Sequence, residues 1–68
     1  MMQGVVEKFF ADRGYGFIKS DDGGQVFVHI KDARKGGVVE LSEGQRLEFL
    51  IAKDPKTGKL RAVDVRAP

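Results

Sequence analysis

The stretches Gly14-Tyr15-Gly16-Phe17-Ile18-Lys19 and Gln25-Val26-Phe27-Val28-His29-Ile30 alternate aromatic or polar side chains with glycine or aliphatic ones. Such a period of two is typical of half-buried β-strands, because successive side chains of a strand point to opposite faces. The segment between them, Ser20-Asp21-Asp22-Gly23-Gly24, has the composition of a tight turn. The two stretches therefore predict neighbouring strands, over residues 15–19 and 25–30, joined as a hairpin.

Outside this hairpin the same alternation predicts three further strands, over residues 3–10, 45–52 and 60–65. Residues 11–14 and 54–58 are predicted turns. Residues 31–44 are predicted as a long surface loop that opens with one short helical turn around Lys31-Asp32-Ala33. Glycine falls every few positions, and β-branched and aromatic residues dominate the apolar positions, so the fold class is all-β.

Five short strands leave exposed edges unless the sheet closes on itself. We therefore predict a five-stranded antiparallel Greek-key barrel of the OB type, with an SH3-like small barrel as the alternative. The chain has 68 residues, the length of a single domain over residues 1–68. Eight apolar side chains are predicted to fill much of the interior: Val6, Ile18, Val26, Val28, Leu47, Phe49, Ile51 and Val65.

The aliphatic faces of the hairpin strands suit a narrow interior, which leaves a patch of rings outside: Tyr15, Phe17, Phe27 and His29. An exposed apolar patch of this kind is typical of a binding surface. Stacking of a base on an aromatic ring contributes about 1–3 kcal/mol, and a duplex hides its base faces, so single-stranded nucleic acid is favoured. Four cations near these strands are candidates for phosphate contacts: Lys8, Arg13, Lys19 and Lys31. The opposite arrangement, with the rings in the core and the valines exposed, stays open.

Other chemistry finds little support in the sequence. The net charge is only +2, so the distribution of charge rather than its sum has to indicate a polyanionic partner. There is no cysteine and one histidine, which leaves no zinc site of the usual ligand types and no organised nucleophile and base. We expect no enzymatic activity, no metal, no cofactor and no small-molecule substrate.

The amino-terminal residues show neither the basic nor the apolar region of a signal peptide, and no run of about 20 apolar residues is present. We therefore expect a cytoplasmic protein with no membrane partner. Two other functions stay open for the rings. They could grip an extended peptide, or they could form a dimer interface, although a monomer is the primary expectation.

These residues also carry a family resemblance. The stretch 14–18 resembles the first ribonucleoprotein motif of the bacterial cold-shock proteins, and 26–30 resembles the second. Gly4, Val6 and Phe9 are similar to the opening of the family's first strand, and Glu43-Gly44-Gln45 is similar to the segment before its fourth. The resemblance covers essentially the whole chain. It implies an OB-type barrel that binds single-stranded RNA and DNA with low sequence specificity. It also implies an RNA chaperone, with links to cold or stress response and to transcription or translation.

The chain departs from this pattern at several positions. Glu7 and Lys8 stand where the family usually has lysine and tryptophan, and Ile30 and Val38 stand where it often has aromatic residues. The resemblance implies that Ile30 and Val38 are apolar rims of the site, and that the lost rings weaken binding. Phe10 replaces a polar residue. It either supplies a ring from a shifted position or packs over the barrel end.

Overall fold

The computed structural model describes residues Met1–Pro68. It contains five strands and one short helix: β1 Met2–Phe10, β2 Tyr15–Ser20, β3 Gln25–His29, α1 Ile30–Lys35, β4 Arg46–Lys53 and β5 Leu60–Arg66. The strands close into a barrel in the order β1-β2-β3-β5-β4. The predicted all-β fold with a closed five-stranded barrel is confirmed. No helix is both long enough and apolar enough to cross a membrane.

The strand pairing explains how the chain closes the barrel. Four neighbouring pairs are antiparallel, and the fifth, between β3 and β5, is parallel at Phe27 and Arg61. The β3–β5 contact joins strands that are not consecutive in the chain, so α1, β4 and their connections lie between them. Residues near the start of β5 are therefore brought beside the aromatic side chains of β3.

A β-bulge in β1 changes which side chains face the interior. Val6 pairs with Ile18, but Lys8 pairs with Phe17, so Glu7 is an extra residue on β1. A bulge of this kind lets two successive residues point to the same face. Glu7 and Lys8 are both exposed, while Phe9 packs partly buried against the core. Strict alternation would have turned Lys8 inward.

The core is close to the predicted one. Seven of the eight predicted side chains are at most 1% exposed: Val6, Ile18, Val26, Val28, Leu47, Phe49 and Val65. Ile51 is the exception, because it is only partly buried and packs against the outside of this cluster. The register of β4 against β5 shifts between Glu48 and Leu50, and Asp64 opposite them has a φ of 51°. The extra residue lies on β5, so β4 keeps its alternation: Leu50 is exposed, and Ile51 stays on the core side but is only partly covered there.

The predicted loop over residues 31–44 contains more structure than one turn. β3 ends at His29, one residue earlier than predicted, and α1 begins at Ile30. His29 caps the helix, since its Nδ1 accepts a hydrogen bond of 3.1 Å from the Lys31 N–H. At the other end of α1, a Cβ on Gly36 would overlap the Val65 carbonyl oxygen. Glycine at this position therefore lets the helix lie directly on β5.

Candidate nucleic-acid interface

The register between β2 and β3 aligns the predicted aromatic patch. Phe17 lies opposite Phe27, Tyr15 opposite His29, and Lys19 opposite Gln25. The four residues with rings, Tyr15, Phe17, Phe27 and His29, are half-buried. The residues that alternate with them, Ile18, Val26 and Val28, are at most 1% exposed. The rings therefore lie on the outer surface and the aliphatic side chains lie inside. The opposite arrangement is wrong.

The rings are in contact with one another. The ring centroids of Tyr15 and Phe27 are 5.4 Å apart, and those of Phe17 and Phe27 are 6.1 Å apart in an edge-on arrangement. Phe10, on β1, adds a fourth ring 5.5 Å from Tyr15. These spacings are within the range of favourable aromatic pairs. We call the outer surface formed by Lys8, Phe10, Tyr15, Phe17, Phe27 and His29 the aromatic face.

The bulge in β1 accounts for the place of Phe10 and Lys8 on this face. After the bulge, Lys8 lies opposite Phe17 and Phe10 lies opposite Tyr15. Phe10 is 39% exposed, so its ring is available to a ligand while one edge rests on Tyr15. Of the two roles left open by the sequence, the contact with Tyr15 favours the ring on the binding surface. Lys8 is exposed at the position where the resemblance expects tryptophan.

A groove of about 530 Å³ runs across the aromatic face and is lined by six residues: Tyr15, Phe17, Gln25, Phe27, Lys59 and Leu60. We call it the aromatic groove. Lys59 and Leu60 were missed by the sequence analysis, because nothing local to residues 59–60 relates them to the hairpin. The OB strand order, which places β5 beside β3, was the signal that would have found them.

The predicted cations differ in their relation to this groove. Lys8 adjoins Phe17, and Lys19 pairs with Gln25 at the edge of the groove. Lys31 lines a neighbouring groove with Phe27 and His29. Arg13 is exposed on the β1–β2 turn and lines neither of these grooves. None of the four takes part in either ion pair of the chain. They are therefore free to meet phosphates.

Val38 is not available as an apolar rim. It is 7% exposed and belongs to the core, so its predicted place at the surface is wrong. The Val38 N–H donates to the Ala33 carbonyl at 2.9 Å, which folds the segment after α1 back onto the barrel. Its neighbour Val39 is 69% exposed instead.

Ile30 is half-buried and packs against the core from the first position of α1. It lines a separate groove of about 340 Å³ at the barrel end, together with Phe9 and Leu41. The structure therefore places Ile30 beside the aromatic face, next to His29, but outside the aromatic groove. Its contact with a ligand stays a prediction.

Comparison with known proteins agrees with this geometry. Residues 2–68 match the family model described as the 'Cold-shock' DNA-binding domain. The chain belongs to the cold-shock domain family. This family is known for nucleic-acid binding. The two stretches that resemble its ribonucleoprotein motifs lie on β2 with the residue before it and on β3 with the first residue of α1.

Whole relatives of similar length support the assignment to the cold-shock domain family. A probable cold shock protein of Sinorhizobium fredii is 43% identical over 68 residues, covering 98% of this chain and 99% of the relative. A cold shock-like protein of Thermotoga maritima is 41% identical over 66 residues, covering 93% and 100%. The solved structure of drosophila Unr CSD456 matches 98% of this chain and 26% of its own with a TM-score of 0.78. At 18% identity, that match supports the cold-shock fold alone.

Proposed function

We propose that this cold-shock domain binds single-stranded RNA and DNA across its aromatic face, with low sequence specificity, and holds the bound strand unpaired. The observation that carries the proposal is the contact chain of four partly exposed rings, Phe10–Tyr15–Phe27–Phe17, which crosses three adjacent strands. Each base has a π-face, so a row of rings can accept successive unstacked bases of any sequence. Paired bases of a duplex would not reach these rings.

The free cations around the rings support a polyanionic partner better than a peptide. Lys8 lies on the aromatic face, Lys19 lies at its edge opposite Gln25, and Lys59 lines the aromatic groove itself. The acids nearby are Glu7, which accepts a hydrogen bond of 3.3 Å from Gln25, and Asp32 and Asp54, which line grooves that border Phe27. None of the three lysines takes part in an ion pair, so their positive charge beside the rings is not neutralised. Phosphates would complement this distribution.

We propose that Phe10 partly replaces the missing tryptophan platform. Lys8 brings a charge to that position but no ring. The ring of Phe10 lies two residues further along β1, in contact with Tyr15. The aromatic track is therefore displaced toward the β1–β2 turn. We expect binding weaker than that of members that keep all their rings. Preference for pyrimidine-rich strands follows from the resemblance alone.

The action proposed here requires no catalysis, because a protein that binds only unpaired strands shifts the pairing equilibrium by mass action. We propose that residues 1–68 work as one monomeric unit of this kind, an RNA chaperone in the cytoplasm. The cysteine-free sequence is compatible with a reducing compartment. Roles in cold response and in transcription or translation would follow from strand melting.

The test is fluorescence anisotropy of labelled oligo-U and oligo-dT of about seven nucleotides, a length within the span that one OB fold covers. A duplex of equal length is the comparison, and each is titrated at low and high salt. We expect saturable binding of the single strands that exceeds duplex binding and weakens with salt. No binding at tens of micromolar protein would refute the proposal. Binding of extended peptides with little salt dependence would favour a peptide groove instead.

A further inference from the structure

A second groove, of about 350 Å³, lies at the corner where β3, α1 and β5 meet. We call it the corner groove, and it is lined by six residues: Phe27, His29, Lys31, Asp32, Lys35 and Arg61. Three of them are cations and one is an acid, so the groove has an excess of positive charge. A cleft lined by charges of one sign concentrates its field and attracts counter-ions.

The cations of the corner groove are poorly neutralised within the chain. Lys31 and Lys35 lie one helical turn apart on α1, so their like charges repel, and neither takes part in an ion pair. Arg61 faces Asp32, with 3.8 Å between Nε and Oδ2. That distance is too long for a charge-assisted hydrogen bond, which typically spans about 2.7–2.9 Å. The guanidinium therefore keeps its donors for another acceptor.

The corner groove is continuous with the aromatic face. Phe27 lines both the aromatic groove and the corner groove, and Arg61 is its direct neighbour across the parallel pairing of β3 and β5. His29 adds a further donor, because its Nδ1 already accepts from the Lys31 N–H and the proton of the neutral ring then lies on Nε2. A base stacked on Phe27 would therefore lie directly beside this groove.

We propose that the corner groove is a phosphate subsite that takes the internal phosphodiester adjoining the base on Phe27, with Arg61 and Lys35 as its main donors. Asp32 faces Arg61 at 3.8 Å when the groove is empty, and its charge competes with the phosphate for the guanidinium. The proposal rests on single-strand binding by the aromatic face, and it adds Lys35, Arg61 and Asp32 as residues that set affinity. A guanidinium can meet a phosphate with two parallel hydrogen bonds, which the single long contact with Asp32 does not provide.

Substitution of Arg61 by Gln tests the subsite, with Arg66→Gln as the matched control. Arg66 is an exposed arginine on the same strand that lines none of the grooves. We expect Arg61→Gln to weaken oligo-dT binding about fivefold and to reduce the salt slope by about 0.7, the value for one phosphate contact on a single strand. Arg66→Gln should change affinity by less than about twofold. Thermal melts of both variants separate a loss of fold from a loss of contact.

Single neutral methylphosphonate linkages in the oligo-dT locate the contact. In the unsubstituted protein one internal linkage should reduce affinity more than the others, and in Arg61→Gln that linkage should lose its extra effect. Oligonucleotides with and without terminal phosphates separate an internal from a terminal site. Equal losses in Arg61→Gln and Arg66→Gln, or dependence on a terminal phosphate only, would overturn the proposed subsite. Absence of any single-strand binding by the unsubstituted protein would instead overturn the proposed function on which it rests.

Asp32→Asn tests the competition. Removing the carboxylate should raise affinity about threefold, because a negative charge no longer faces the bound phosphate. Asp21→Asn is the matched control, because it makes the same change of charge and releases Arg46 from an ion pair of 3.0 Å. Neither Asp21 nor Arg46 lines the aromatic groove or the corner groove. A fall in affinity for Asp32→Asn would show that Asp32 positions Arg61 rather than competing for it. An equal rise in both variants would show a general effect of charge.

Discussion

Phe49 and Phe27 are the same residue type on opposite faces of one barrel wall. Phe49, on β4, is fully buried among aliphatic side chains, whereas Phe27, on β3, is half-buried and touches two other rings. Both strands pair with β5. The difference predicts that this small barrel divides its aromatic residues between two tasks, so that folding free energy and ligand affinity depend on separate side chains.

The largest expected effect is on the inner side. Phe49→Ala should reduce the free energy of unfolding by about 3–5 kcal/mol, the range for truncating a fully buried phenylalanine. A barrel of this size has a total of only about 3–5 kcal/mol, so the variant should be largely unfolded in circular dichroism and urea titration. Phe49→Leu, which leaves a smaller cavity, should fold with reduced stability. A fully folded, stable Phe49→Ala protein would contradict the idea that the inner ring is needed for folding.

Phe27→Ala should show the reverse balance. Loss of one stacking platform should weaken oligo-dT binding by about 1–3 kcal/mol, or about 5- to 150-fold. The free energy of unfolding should fall by only about 1 kcal/mol, because the ring lies on the outer surface and is only partly buried. Anisotropy and urea titration on the same preparation measure both. A loss of stability without a loss of affinity would show that Phe27, like Phe49, serves the fold and not the ligand.

Lys8→Trp should gain affinity by restoring a ring opposite Phe17. The new platform should contribute at least about 1 kcal/mol, or about fivefold, toward single strands. Lys8→Leu removes the same charge without adding a ring, so the ratio of the two variants isolates stacking. Equal affinities for these variants would show that position 8 does not contact bases.

Phe10→Ala sharpens the role of the displaced ring. We expect a loss near the lower end of the stacking range, about 1 kcal/mol, since the ring lies at the end of the contact chain. Stability should change less, because the side chain is 39% exposed. Phe10→Leu, which retains apolar packing on Tyr15, is the control. If alanine lowers the midpoint of urea unfolding but leaves the dissociation constant unchanged, Phe10 only packs.

The smallest effect concerns the β2–β3 turn. The Gly24 N–H donates a hydrogen bond of 3.0 Å to the Asp22 carboxylate, and this bond lowers the pKa of Asp22 below 3.8. The Ser20 hydroxyl lies close by and lowers the pKa further, although it does not complete a hydrogen bond. Because the pKa of Asp22 is lower in the folded protein than in the unfolded chain, its contribution to stability is complete at pH values above the unfolded-state pKa. The contribution is lost as the pH falls through the folded-state pKa. NMR titration of Asp22 measures the folded-state pKa. Acid unfolding of Asp22→Ala, compared with that of the unsubstituted protein, measures the contribution to stability. An ordinary pKa would contradict the turn geometry.

The hairpin strands were predictable because their two faces differ so clearly. In β2 and β3 every second residue is buried, and all of these residues except Ser20 are aliphatic or glycine. Ile51 and Val38 show where local pattern stops being sufficient. Ile51 lies beyond a register shift that depends on the partner strand, and Val38 is buried because the segment after α1 folds onto the barrel. Neither cause is visible in the residues beside them.

The candidate site was predictable to the same extent. The rings of β2 and β3 were predicted to lie together and do so, because they are close in sequence and share one face. Lys59, Leu60 and Arg61 were not found, because only the parallel pairing of β3 with β5 brings them there. That pairing depends on closure of the whole barrel. A binding surface assembled across it is a property of topology rather than of any motif.

The bulge at Glu7 has a consequence for how this surface can change during evolution. It puts positions 8 and 10 on the outside while Phe9 stays against the core. Substitutions at 8 and 10 therefore act mainly on the outer surface, so a ring can be gained at one position and lost at the other without a folding-defective intermediate. The one extra residue thus lets the affinity of this surface change while the fold is kept.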